Sequence, residues 1–120
     1  MKVGVSAIGP TLDDRVDERF GRAAHLLVID TASLAFEAVD NAANRNALQG
    51  SGIGAAEIVS SRGVDAVVTG HLGPKAYKAL QAAGIEGFEG TGMTVREAVD
   101  AWVEGTLKPL TEGEAHTGMV

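Results

Sequence analysis

The stretch VDAVVTGHLGPKA, residues 64–76, constrains this chain more than any other. Asp65 to Thr69 is a short, nearly continuous apolar run, the mark of a strand covered on both faces. Gly70 ends it, His71-Leu72-Gly73 turns the chain, and Pro74 stands where a first helical residue belongs. Proline suits that place because its fixed φ is already helical and its missing N–H would have had no partner. Ala76, Ala79, Leu80 and Ala83 then repeat on one helical face until Gly84 stops it. Strand, glycine-flanked turn and helix together put free N–H groups and one imidazole at the carboxyl edge of a parallel sheet. Open α/β sheets bind ligands at such edges.

The rest of the chain supplies further units of the same kind. Residues 2–8 alternate as a central strand, and Gly9-Pro10 breaks it. Residues 11–22, TLDDRVDERFGR, are a long charged loop anchored by Val16 and Phe20, the sort of loop that carries function. His25–Asp30 and Leu34–Asp40 read as a hairpin around Thr31-Ala32-Ser33, with Glu37 pointing outward from an edge strand. After a polar loop at 41–52, Ser51 is placed to cap a helix over 52–62 that buries Ala55, Ala56, Ile58 and Val59, closed by Gly63. Ile85–Phe88 is a last strand. Thr94 and Glu97 form a capping box before a stripe of Val95, Ala98, Val99 and Trp102, and Gly105 ends that helix. The pattern predicts one α/β domain over residues 1–105, a five-stranded mixed sheet with one antiparallel strand and helices on both faces. Residues 106–120 show no periodicity and are expected to be a flexible tail.

Composition narrows the function classes. A net charge of −6 argues against a nucleic-acid surface. With no cysteine, disulfides and thiolate-held zinc or iron–sulfur sites are excluded. No apolar stretch approaches the roughly eighteen residues of a membrane span. Met1-Lys2-Val3 leads straight into a strand pattern without a cleavage site, so a cytoplasmic protein is expected.

Several constellations could carry chemistry. His71 has a glycine close by on each side, which leaves room for a ligand, although a turn histidine can also satisfy itself on a carbonyl. Gly70 to Gly73 with Lys75 in the first helical turn outlines an anion site without the spacing of a nucleotide loop. Arg15, Arg19 and Arg22 put half the arginines into one loop, either as a guanidinium clamp or as surface partners of Asp13, Asp14, Asp17 and Glu18. The acids Asp13, Asp14, Asp17, Glu57 and Asp65 could in principle assemble for two-metal hydrolysis, but most belong to solvated loops or helix faces. Ser6 has no partner resembling a nucleophile elbow, and His25 reads as a core or edge residue. His116 and Met119 could add a soft or borderline ligand from the tail.

Taken in order, MKVGVSA at the start, VDERFGRA at 17–24, Asp40-Asn41, residues 64–85 and GTGMTVREAVDAWVEGTL at 90–107 resemble the dinitrogenase iron–molybdenum cofactor biosynthesis family. These are small carriers and accessory domains of nitrogenase cofactor assembly, and they include a carrier of a molybdenum–copper sulfide cluster. The resemblance implies a ribonuclease-H-like three-layer α/β/α fold. It implies a noncatalytic protein that holds a metal–sulfide cluster, iron–molybdenum or molybdenum–copper, between the loop after the first strand and the His71-Leu72-Gly73 turn. Arg19, Phe20, Gly21, Arg22, Asn41, Gly70, His71, Gly73 and Lys75 are the binding residues it indicates, with His71 the metal ligand. A cofactor-assembly or cluster-acceptor protein is the implied partner, with the chain a monomer or weak homo-oligomer. Where many nitrogenase-associated members have histidine before the Phe-Gly pair, this chain has Arg19. Two rival readings are a regulatory or protein-interaction domain and a metal-dependent phosphodiesterase, the latter needing acids that the inner strands do not carry.

Overall fold

A computed structural model describes residues 1–111. Along the chain run β1 (Lys2–Ala7), β2 (His25–Asp30), β3 (Phe36–Asp40), α1 (Ala42–Arg45), α2 (Ser51–Ser61), β4 (Ala66–Thr69), α3 (Pro74–Ala82), β5 (Glu86–Glu89), α4 (Val95–Glu104) and β6 (Lys108–Pro109). The strands form one sheet in the order β3-β2-β1-β4-β5-β6. β1, β4 and β5 are parallel neighbours, whereas β2 runs against β1 and β3. β6 runs against β5.

Strand periodicity sends alternate residues to two cores. Val3, Val5, Ala7, Leu27, Ile29, Ala66 and Val68 pack with Val95, Ala98 and Val99 of α4. Leu26, Val28 and Val67 pack with α2 and α3 through Ala55, Ala56, Val59, Ala76 and Leu80. Gly4 faces α2, where a Cβ would stand 3.1 Å from Val59, so its bareness lets the helix lie close. Among the described residues no helix is long and apolar enough to cross a membrane.

Several expectations are corrected, among them the polar loop over 41–52, which contains the short helix α1. The sheet has six strands, not five, and two of them, β2 and β6, are antiparallel. The sixth arises because the chain after Gly105 turns back along β5: the Leu110 N–H donates to the Gly87 carbonyl at 2.8 Å, and Leu110 is buried. Residues 106–111 are therefore part of the domain, while His116 and Met119 lie outside the described residues. Ser51 is the first residue of α2 rather than its cap; Gly50 holds the cap position at φ +79 and offers no side-chain bond. The second hairpin strand starts at Phe36, because Leu34 takes a left-handed φ of +63 and Asp30 accepts the N–H groups of Ala32 and Ser33 in the turn. Ala83 is exposed beyond the end of α3.

The capping box of α4 is present as expected. The Glu97 N–H donates to Thr94 Oγ1 at 3.1 Å, and the Thr94 N–H donates to Glu97 Oε1 at 2.9 Å.

Candidate functional site

β1 and β4 lie side by side in parallel, so the loops leaving their carboxyl ends emerge together. Two fully buried hydroxyls lock those exits: Ser6 Oγ donates to the Asp17 carbonyl at 2.7 Å and lies 2.7 Å from Thr69 Oγ1. The Asp17 N–H donates back to the Ser6 carbonyl at 2.8 Å. From there the two backbones run alongside each other, and Arg19 pairs with His71 as a parallel bridge.

Phe20 then turns into the core on the α2/α3 side. Gly21 meets the start of α2 so closely that a Cβ would stand 2.6 Å from the Gly52 nitrogen. Gly52 in turn meets Ala76 of α3, where its own Cβ would come within 2.8 Å of the alanine methyl. The first turns of α2 and α3 thus converge on one cavity of about 380 Å³, whose lining includes Arg19, Arg22, Ile53, His71 and Lys75. Neither helix has a side-chain cap, the cap residues being Gly50 and Gly73. Unsatisfied N–H groups of a helix start carry partial positive charge.

The nine residues named from the sequence do not all play the same part. Arg19, Phe20, Gly21, Arg22, His71, Gly73 and Lys75 border the cavity. Arg22 is engaged elsewhere: its Nη1 donates to the carbonyls of Arg45 at 2.7 Å and Ala47 at 2.6 Å, pinning the loop before α2. Asn41 is buried behind the wall, with Nδ2 donating to the Gly21 and Ala23 carbonyls, and Gly70 packs against Glu18 and Thr91. These two position the loops and do not border the cavity.

The arginine trio separates. Arg15 bridges to Thr94 and donates to the Gly92 carbonyl, away from the cavity. Asp13 pairs with Arg96 and Asp17 with Arg19, so surface pairing accounts for part of that charged loop. Asp14 is a local brace: the Thr11 hydroxyl and N–H both donate to it and hold its carboxyl below the ordinary range. Among the described residues, no three His, Asp or Glu side chains stand together as a metal site.

Sequence reasoning missed the α2 wall, Gly50 to Ile53. Its signal was present: Gly50-Ser51-Gly52 repeats the glycine-opened helix start found at Gly73-Pro74. Guanidinium, ammonium, imidazole and two helix starts around one cleft favour an anionic, electron-rich guest. The lining from Phe20, Ile53, Pro74 and Ala76 adds apolar contact for a polarizable one.

Comparison with known proteins finds relatives of the same fold. The chain is 45% identical to the orange protein of Desulfovibrio gigas, whose apo structure superposes with a TM-score of 0.86 over 90% of this chain and 91% of that one. A putative NifB protein from Thermotoga is 34% identical, with a TM-score of 0.79 over 92% of this chain and 93% of that one. An uncharacterized Methanocaldococcus jannaschii protein is 27% identical over 112 residues, 90% of this chain and 94% of its own. The model of the dinitrogenase iron–molybdenum cofactor family matches residues 1–105, and the chain belongs to that family.

Proposed function

We propose that this protein is a noncatalytic carrier for an anionic metal–sulfide cluster, an iron–molybdenum cofactor precursor or a molybdenum–copper sulfide. The cluster is cargo, held in the cavity between the Arg19 loop and the His71 turn. The observation that carries this reading is the pairing of Arg19 with His71 on the rim where two uncapped helices also begin. A sulfide cluster brings its own bridging ligands, so a chain without cysteine can hold it by charge, N–H groups and an imidazole. Arg19 and Lys75 supply charge, and His71 offers a ring nitrogen to a metal or an N–H to a sulfide. Such binding is reversible, as delivery to a cofactor-assembly or acceptor protein requires.

The ribonuclease-H-like assignment belongs with this reading, supported by three layers and a sheet whose β2 runs against both neighbours. A phosphodiesterase would need converging acids, and the described residues offer no such group. The test is anaerobic titration of the metal-free protein with tetrathiomolybdate, with and without copper(I). A new charge-transfer band that saturates supports the carrier, and unchanged spectra overturn it.

A further inference from the structure

Arg19 already has a carboxylate beside it. Its Nε stands 3.7 Å from Asp17 Oδ1, and the same oxygen accepts the Arg19 backbone N–H at 2.9 Å. The Arg19 side chain is 62% exposed, whereas that of Asp17 is only 12% exposed. Asp17 is also fixed from below. Its N–H is bound to the Ser6 carbonyl, and its carbonyl takes the buried Ser6 hydroxyl, with Thr69 Oγ1 at 3.5 Å. The residue is thereby tied to β1 and faced by β4, the two strands whose exits form the rim.

We infer that Asp17 is a built-in counter-charge that holds Arg19 between loads and keeps the cavity's affinity for its anion low enough for release. This rests on the carrier reading above. An incoming anion must compete with a carboxylate for the guanidinium, and once seated it lies near that fixed negative charge. Because Arg19 is largely in solvent, the pair is weak, so Asp17 tunes binding without blocking it. A residue that served only the turn would act through its acceptor oxygen alone. Asparagine keeps that acceptor and drops the charge, so Asp17→Asn separates the two roles.

The experiment titrates wild type, Asp17→Asn, Arg19→Ala, Asp17→Asn/Arg19→Ala and Glu18→Gln with tetrathiomolybdate at several salt concentrations, with thermal melts alongside. Asp17→Asn should bind about two- to fivefold tighter at low salt, with the gain shrinking as salt rises. The gain should diminish without Arg19, and Glu18→Gln should change affinity less than about twofold. Unchanged or weaker binding by a normally melting Asp17→Asn overturns the inference, as does an equal gain from Glu18→Gln. A wild-type chain that gives no band counts against the carrier reading instead. The inference is then read with inorganic sulfate, following the Arg19 Nε–H by NMR: tighter sulfate binding by Asp17→Asn upholds it, and equal binding overturns it. Should Asp17→Asn melt early, Asp17→Ser, which also offers an acceptor to the Arg19 N–H, is read in its place by the same criteria.

Discussion

Arg19 and His71 meet backbone to backbone beyond the ends of β1 and β4, although they come from distant parts of the chain. Both side chains are exposed. Replacing either with alanine should therefore cost under about 0.5 kcal/mol of stability. The same changes should weaken tetrathiomolybdate binding about tenfold each, because a charge-assisted contact to the anion is lost. Parallel titration and thermal unfolding check this, and affinity lost only in step with stability would refute it.

Gly21→Ala should be damaging out of proportion to its size. The added methyl would stand 2.6 Å from the Gly52 nitrogen and 2.7 Å from the Ser51 carbonyl carbon, both backbone atoms. Overpacking of this kind costs about 1–3 kcal/mol. Denaturant unfolding measures it, and tetrathiomolybdate titration should show weakened binding because the α2 wall is pushed outward.

Leu110→Ala should lower stability by about 2–4 kcal/mol, the usual cost of emptying a buried leucine site. Leu110 is 6% exposed and sits in the core shared with Leu72, Leu80 and Ile85. A loss below about 0.5 kcal/mol in denaturant unfolding would show that residues 106–111 do not belong to the cooperative unit.

Stability should fall on acidification through carboxylates that the fold holds ionised. The Ser33 and Ala32 N–H groups lower Asp30 from its ordinary 3.8, and Thr11 does the same for Asp14. Thr94, through its N–H and then its hydroxyl, lowers Glu97 from 4.5. A depressed folded-state value means that the native state binds fewer protons than the unfolded chain, so these contributions are complete above the ordinary values. They disappear as pH drops below about 4.5 and on through the lowered values. Denaturant midpoints measured from pH 7 to 3 should decline below that point, and Asp30→Asn should make the decline shallower.

Losing the α4 cap is a separate matter. Thr94→Ala removes the acceptor for the Glu97 N–H and should cost about 1 kcal/mol. Thermal unfolding checks it; no change would show that the box contributes nothing to the fold.

The features legible in the sequence were those written in local grammar. The Gly70–Pro74 turn, the capping box and the alternation of β1 each depend on residues within a few positions of one another. What stayed hidden depended on distant partners. β6 has only two residues, Lys108 and Pro109, and exists because Phe88 and Glu89 offer them an edge. Arg15, Arg19 and Arg22 are close in sequence, yet Arg15 bridges to Thr94 before α4 while Arg19 bridges to His71 after β4. The wall at Gly50 to Ile53 reaches the site only because Gly52 packs on Ala76, a contact between two helices that no single segment announces.

That contact between Gly21, Gly52 and Ala76 also fixes the dimensions of the cleft. Main chain rests on main chain between Gly21 and Gly52, and Gly52 rests on the single methyl of Ala76, so no side chain there can rotate aside to widen the rear of the opening. Under the carrier reading, accommodation of differently sized guests would fall to the outer tips, Arg19, Ile53 and Lys75, while the glycine contacts behind them stay in place.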